Sequence, residues 1–218
     1  MRSPHPHRSR WLRLITGCLL AVYLWPFSAQ ALPDTPAALG AALDQALAEV
    51  RPDFAERLAL VAHADRMLAE SPAATAELAF KTRMVEAIAR MRLGQFAESR
   101  AVVDAWCDAV GAADYPVLQF RCRSLQAGLM LIGGERLASL KAFERLFARD
   151  LRGIPAGVRS RARINHATVL NENGRTAEAA DLYEQIMVDA LADQDDRLTL
   201  YAANNLCVIL VAQGDYLA

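Results

Sequence analysis

The stretch Gly94-Gln-Phe-Ala-Glu-Ser99 returns forty residues later as Gly134-Glu-Arg-Leu-Ala-Ser139, and again as Gly174-Arg-Thr-Ala-Glu-Ala179. A fourth glycine, Gly214, follows at the same spacing. Small residues stand seven positions before each glycine and five positions after the first three. They are Ala87, Ala127, Ala167 and Cys207 before the turn, and Ser99, Ser139 and Ala179 after it. This repeated pattern predicts, around each glycine, a helix, a glycine turn and an antiparallel helix that approaches the first one closely.

The chain between these turns is rich in Ala, Leu, Arg and Glu, and alternating apolar and polar segments are lacking, so we predict an all-α fold. The repeats are expected over residues 78–218, after an atypical helix pair at 36–72 whose turn lies two residues out of phase. Helices are predicted near residues 37–50, 54–69, 74–93, 96–110, 115–132, 135–148, 158–173, 176–192 and 197–213.

The turn segments 94–99, 174–179 and Gly214-Asp-Tyr216 resemble those of the tetratricopeptide repeat (TPR) family. The resemblance implies a right-handed α-solenoid of stacked antiparallel helix pairs, whose first helices line a concave peptide-binding surface. The period of 40 residues departs from the family's usual 34. Glu86 and Arg90 stand where the family has bulky apolar residues, so we expect the first helix of that repeat to be rotated or bulged.

Composition excludes several classes of protein. The chain has 218 residues, 54% of them apolar, with 11 glycines and 4 cysteines, which excludes a disordered, collagen-like or disulfide-dense chain. The first 31 residues hold four arginines and no acidic residue, so 20 basic and 25 acidic side chains remain. Such an acidic body disfavours a nucleic-acid partner.

Residues 1–31 have the layout of a secretory signal peptide: a basic start, an apolar run over 14–25 and a small-residue site that ends at Ala31. We expect export to the periplasm with cleavage after Ala31. Two alternatives stay open, a lipoprotein anchored through Cys18 and an uncleaved N-terminal anchor. Contact with a membrane is expected only through this segment or a missing C-terminal one.

Export leaves Cys107, Cys122 and Cys207, an odd number of thiols in an oxidising compartment. Cys107 near the end of one predicted helix and Cys122 early in the next allow a disulfide between adjacent helices. The alternative is that all three are small buried apolar residues.

Motifs for catalysis are lacking. Neither a CxxC, HExxH, GxSxG nor a phosphate-loop pattern occurs, and His63 and His166 fall in different repeats. We therefore expect no enzyme activity, no metal and no cofactor in this segment.

The TPR resemblance assigns the partner-binding surface to positions of the first helices. These are Lys81, Met84 and Ile88, Arg121 and Ser124, Arg161, Asn165, Thr168 and Asn171, and Tyr201, Asn204 and Asn205. Lys81, Arg121 and Arg161 repeat at forty residues, as do Asn165 and Asn205. The cationic row suits an acidic or carboxylate-bearing protein or peptide; the alternative is that the asparagines make structural hydrogen bonds and the cations are solvated.

The leading hypothesis is an extracytoplasmic protein-interaction module. The segments 202–206 and 213–216 resemble the periplasmic sensory part of bacterial signalling proteins with a GGDEF-type diguanylate cyclase output. The alternatives are a stand-alone periplasmic scaffold for envelope assembly and a cytoplasmic adaptor. Because a second helix would be expected to follow Gly214, we also expect the sequence to be a fragment or to be completed by a partner.

Overall fold

The computed structural model describes residues 32–48, 53–70, 75–109 and 115–214. The chain divides into two units, residues 1–32 and 33–218, and every described helix lies in the second unit. This unit is all-α, as predicted, and its described residues contain no β-strand. The helices are α1 (Pro36–Ala48), α2 (Phe54–Glu70), α3 (Ala76–Arg92), α4 (Phe96–Cys107), α5 (Pro116–Ile132), α6 (Arg136–Phe147), α7 (Ala156–Glu172), α8 (Thr176–Ala192) and α9 (Asp196–Gln213). The predicted signal segment 1–31 lies outside the described residues.

The helix starts are regularly spaced. The odd-numbered helices begin at residues 36, 76, 116, 156 and 196, and α4, α6 and α8 begin at 96, 136 and 176. Only α2 departs from the series, because it begins at residue 54, two residues early. The predicted helices agree with these bounds to within three residues.

The turns between paired helices depend on glycine. Gly94, Gly134, Gly174 and Gly214 all have φ between 77° and 82°, a left-handed conformation that side-chain-bearing residues adopt only at a cost. In the first three turns, the N–H after the glycine donates to a carbonyl five residues earlier, at 2.9 Å. These pairs are Gln95 to Arg90, Glu135 to Met130 and Arg175 to Leu170. The hydrogen bond satisfies a carbonyl that the ending helix would leave free.

Small residues lie where the paired helices meet. Ala87, Ala127 and Ala167 before the turns, and Ser99, Ser139 and Ala179 after them, are all fully buried. The predicted close approach of the two helices is therefore confirmed at these three turns. Cys207, which stands at the equivalent place before Gly214, is exposed instead.

The contacts separate two sets of helices. Each odd-numbered helix contacts the next odd-numbered one, so that α1, α3, α5, α7 and α9 lie side by side in chain order. Each even-numbered helix packs against the odd-numbered helices that precede and follow it, and within the described residues it contacts no other even-numbered helix. The odd-numbered helices thus form one layer, and the even-numbered helices cover its other side.

The apolar core has two clusters that meet at α5. One cluster is built by α1 to α5 and includes Phe80, and the other runs from α5 to α9 around Phe143 and Tyr183. Val103, Phe143 and Tyr183, nine residues after successive turn glycines, are each at most 2% exposed. These bulky side chains fill the space between one helix pair and its neighbours.

The bulge expected as one possibility around Glu86 does not occur, because α3 runs without interruption from Ala76 to Arg92. Glu86 is buried, and its two carboxylate oxygens accept hydrogen bonds from Arg83 and Arg90 on the same helix. A charge enclosed in this way is tolerated where its hydrogen bonds are made. The helix therefore keeps its regular geometry despite an acid at an apolar position.

Candidate functional site

The predicted cationic row lies on the layer of odd-numbered helices, with Lys81 on α3, Arg121 on α5 and Arg161 on α7. Each is the sixth residue of its helix, which places the three at equivalent points of neighbouring helices. Their surroundings differ, and the difference decides which of them can meet a ligand.

Lys81 is neutralised inside the protein. Its amine lies 2.9 Å from a carboxylate oxygen of Asp44 on α1 and 2.8 Å from one of Glu77, one turn earlier on α3. Burial alone would lower the pKa of Lys81, but the hydrogen bonds that its amine donates to Glu77 and Asp44 outweigh this effect, and the pKa is raised. A cavity of about 260 Å³ between α1 and α3 is lined by Lys81 and Glu77. Lys81 therefore belongs to an ion-pair cluster at one end of the row.

Arg121 and Arg161 are not neutralised in this way. Arg121 is half-buried, and its guanidinium donates to the main-chain carbonyl of Leu47 at 3.2 Å. Burial lowers the pKa of Arg121, and repulsion from Arg161 lowers it further, against a weaker attraction from Asp44. Arg161 is exposed and makes no ion pair or hydrogen bond with any residue that the structure describes. The two guanidiniums thus form a pair of like charges at the surface of α5 and α7.

The predicted asparagines have different environments. Asn165 is exposed one turn after Arg161, and its side chain has no partner among the described residues. Asn205, forty residues later, is half-buried and donates to the main-chain carbonyl of Tyr201 at 2.8 Å within α9. Asn204 is exposed beside it. Only part of the predicted amide row is therefore free to bind a ligand.

Met84 on α3 and Ser124 on α5 are buried, so the expectation that they lie on the binding surface is wrong, and Ile88 is half-buried.

The other predicted residues lie on α7 and α9. The hydroxyl of Thr168 contacts the Tyr183 hydroxyl at 2.8 Å and donates to the Ile164 carbonyl, so it is engaged within the fold. Asn171 is half-buried near the end of α7. Tyr201 is 51% exposed, and the guanidinium of Arg197 lies 5.9 Å from its ring centre. Tyr201 therefore offers an aromatic surface, whereas Thr168 does not offer its hydroxyl.

Asp44 is the residue that sequence reasoning missed. It lies on α1, which begins forty residues before α3 and packs against it. The forty-residue spacing of the two helix starts indicates that α1 lies beside α3 in the layer of odd-numbered helices. Asp44 can be recognised as the carboxylate partner of Lys81 only once α1 is placed beside α3.

Cys107 and Cys122 are joined by a disulfide that links the end of α4 to α5, with Cα atoms 5.7 Å apart. Both residues are buried. Cys207 is exposed and unpaired. Of the three thiols left by the predicted export, two are thus paired in the structure and one faces solvent.

The histidines are held by structural contacts. His63 Nε2 lies 2.6 Å from the carbonyl oxygen of Pro33. The His166 ring is stacked against Phe143 and Phe147, with centroids 5.6 and 5.4 Å away. Burial lowers the pKa of His166. Within the described ranges, no three His, Cys, Asp or Glu side chains converge in a way that would hold a metal ion.

None of the helices in the described part of the chain is both long enough and apolar enough to cross a bilayer.

No family model matches this chain, and neither a curated protein nor a solved structure shows significant similarity to it.

Proposed function

We propose that residues 33–214 are a protein-interaction module, a right-handed α-solenoid of TPR-like helix pairs without catalytic chemistry of its own. The forty-residue spacing of the helix starts and the repeated glycine turns support this architecture. A layer of adjacent odd-numbered helices supports it further, since such a layer provides an extended surface for a peptide or a partner helix.

The binding surface is the face of α5 and α7 that carries Arg121 and Arg161. The observation that carries this proposal is that neither arginine forms an ion pair with any described residue, whereas Lys81 in the same row has two. Keeping two like charges adjacent is unfavourable unless an anion lies between them. Arginine also binds carboxylates through two parallel hydrogen bonds. The proposed partner is therefore an acidic peptide segment or a C-terminal carboxylate.

Asn165 provides the second element of recognition. It lies four residues after Arg161, on the same side of α7, and its amide is exposed and free among the described residues. An amide has both a donor and an acceptor, so it can bind the backbone of an extended peptide whatever its side chains are. Arg161 would then select the charge of the partner, and Asn165 would orient its main chain.

The module is proposed to act outside the cytoplasm, as the periplasmic sensory region of a larger signalling protein of the diguanylate cyclase type. The signal-like layout of residues 1–31 supports export, and the resemblance of segments 202–206 and 213–216 supports the signalling context. Processing after Ala31 would leave Leu32 as the first residue. Cell fractionation with N-terminal sequencing of the mature protein tests this part of the proposal.

Fluorescence anisotropy tests the binding face. The probe is a labelled peptide of alternating Ser and Glu with a free C-terminal carboxylate, compared with the same peptide as its C-terminal amide. We expect Arg161→Ala to weaken binding about tenfold or more, because a charge-assisted hydrogen-bonded pair contributes roughly 1.5–3 kcal/mol. Asn165→Asp should weaken it as well, since it removes the amide donor and adds a negative charge.

Arg66→Ala is the matched control, because Arg66 is an exposed arginine on α2 without a partner among the described residues. It should leave the affinity for the peptide unchanged when both proteins are measured at the same ionic strength. Unchanged affinity in Arg161→Ala and Asn165→Asp, or an equal loss in Arg66→Ala, contradicts the assignment of this face.

A further inference from the structure

A second set of arginines repeats at forty residues on the opposite side of the same helices. Arg83, Arg123 and Arg163 are each the eighth residue of their helix, two positions after the residue of the cationic row. Two residues correspond to about 200° around an α-helix. These arginines therefore face the even-numbered helices, away from the proposed peptide-binding face.

Each arginine of this set has a carboxylate partner, and those of the outer two lie within helices. Arg83 forms ion pairs with Asp65 on α2 and with Glu86 on its own helix. Arg163 lies 2.5 Å from a carboxylate oxygen of Asp189 and donates to Gln185 at 3.3 Å, both on α8. For Arg163 on α7, the following helix α8 thus provides the acceptors.

After α5, arginines stand at the sequence positions where α8 has these acceptors. Forty residues before Gln185 and Asp189 stand Arg145 and Arg149. Both are exposed, and neither guanidinium forms an ion pair or hydrogen bond with a residue that the structure describes. Arg123 itself bonds Asp108 at 2.5 Å and Gln126 at 3.0 Å, but its Nε is buried without a hydrogen-bond partner.

These three arginines surround a cavity of about 250 Å³ between α5 and α6. Its remaining lining includes the apolar side chains of Met130, Ala142 and Leu146, and none of the described residues that line it is acidic. The cavity therefore combines a cationic rim with an apolar wall. It is smaller than the roughly 300–1,000 Å³ typical of sites for drug-sized ligands, so its occupant is small.

We propose that this cavity binds a small organic anion, whose phosphate or carboxylate group lies between the guanidiniums of Arg145, Arg149 and Arg123. A short hydrocarbon part of the ligand would contact Met130 and Leu146. An anion placed there relieves the repulsion between the guanidiniums of Arg145 and Arg149 and provides both with an acceptor. Planar guanidiniums are well suited to hydrogen-bond both kinds of group.

Titration of the purified protein followed by nuclear magnetic resonance tests the site, with hexyl phosphate, hexanoate and inorganic phosphate as separate probes. We expect saturable shifts of the amides of α5 and α6 with hexyl phosphate, and weaker binding of inorganic phosphate because it lacks the hydrocarbon. Equal binding of hexanoate assigns the site to carboxylates as well, and its failure to bind assigns the site to phosphates.

The decisive variant is Arg145→Gln/Arg149→Asp, which introduces the residues that α8 carries beside Arg163, one within α6 and the other two residues after its end. Binding should weaken about tenfold or more, because the cations are removed and a carboxylate competes for Arg123. The free energy of unfolding should remain equal or rise, because Arg123 gains an acceptor within the fold. A variant that fails to bind only because it is unfolded is therefore recognised by its lowered free energy of unfolding.

Arg66→Asp/Arg92→Gln is the matched control, since it changes the net charge by the same amount at exposed arginines on α2 and α3. It should bind hexyl phosphate as the unaltered protein does. The proposal is overturned if no probe saturates at millimolar concentration, if Arg145→Gln/Arg149→Asp still binds normally, or if the control loses binding equally.

Discussion

The hydroxyl of Ser139 donates a hydrogen bond of 2.7 Å to the main-chain carbonyl of Ala127, across the contact between α6 and α5. The same bond joins Ser99 to Ala87 at 2.8 Å, forty residues earlier. In the next unit, Ala179 replaces the serine, so only the close packing remains there. The small size of these residues is therefore the common requirement, and the hydrogen bond is an addition in two of the units.

We expect Ser139→Ala to lower the free energy of unfolding by about 1 kcal/mol, the usual net contribution of one hydrogen bond. Ala127→Leu should cost more, about 2–3 kcal/mol, because the added atoms have no space between the two helices. Urea unfolding of the two variants measures the difference. A larger loss for Ser139→Ala than for Ala127→Leu would show that the hydrogen bond, and not the close approach, is the main requirement.

The turn glycines give a second prediction, because Gly174 and Gly128 differ mainly in backbone conformation. A Cβ at either position would meet no atom within 4 Å, but Gly174 has φ of 78° whereas Gly128 lies inside α5. Gly174→Ala should destabilise the protein by about 1–2 kcal/mol, since its strain comes from the backbone alone. Gly128→Ala should stabilise it by about 0.5–1 kcal/mol through helix propensity. Thermal or urea unfolding of the two variants should give opposite signs, and equal signs would contradict the assignment of the turn.

The turns and the small buried residues were predictable from sequence because each depends on the size of one residue or on the backbone it allows. Gly134 and Ala127 are informative by themselves. The charge pairs were not, since an ion pair such as Lys81 with Asp44 depends on which helices lie side by side and on side-chain rotamers. Glu86 is the same kind of case: the sequence indicated a distorted helix, whereas its neighbouring arginines satisfy the carboxylate and α3 stays regular.

The candidate site was predicted in part for the same reason. Spacing indicated Arg121 and Arg161, but it could not tell that Lys81 is neutralised or that Thr168 is bound to Tyr183. The arginines that include Arg123 repeat at the same interval and were equally visible in the sequence. Arg123 differs from Arg163 because the helix that follows it provides no acceptor, and this can be seen only from the packing of even-numbered against odd-numbered helices.

The disulfide between Cys107 and Cys122 should contribute to stability by closing a loop with a sequence separation of 15 residues. Loop-closure entropy gives about 3 kcal/mol for a loop of that size. The double variant Cys107→Ala/Cys122→Ala should therefore unfold at a lower urea concentration than the unaltered protein, and added reductant should not destabilise it further.

Cys207→Ser is the control, because Cys207 is exposed and unpaired. It should leave stability and its response to reductant unchanged. Mass spectrometry after alkylation should find one modified cysteine in the processed, oxidised protein. Modification of all three without reduction would contradict the disulfide.

His166 predicts a dependence of stability on pH. Burial between Phe143 and Phe147 lowers its pKa below the usual value, and this outweighs the net effect of Glu144, Arg175 and Glu178 nearby. Nε2 is also buried without a hydrogen-bond partner, so protonation there gains no compensating contact. The folded state thus binds a proton less readily than the unfolded state.

The direction of the change in stability with pH follows from the linkage between proton binding and folding. Stability from neutral His166 is fully present above the unfolded pKa of about 6.5, and it is lost as the pH falls from there through the lowered pKa of the folded state. We expect His166→Phe, which keeps an aromatic ring in the stack, to remove this part of the pH dependence. Urea unfolding of both proteins at several pH values from neutral to mildly acidic measures the difference in their free energies of unfolding. Parallel stability curves for the two proteins would show that His166 titrates equally in the folded and unfolded states, contrary to the prediction.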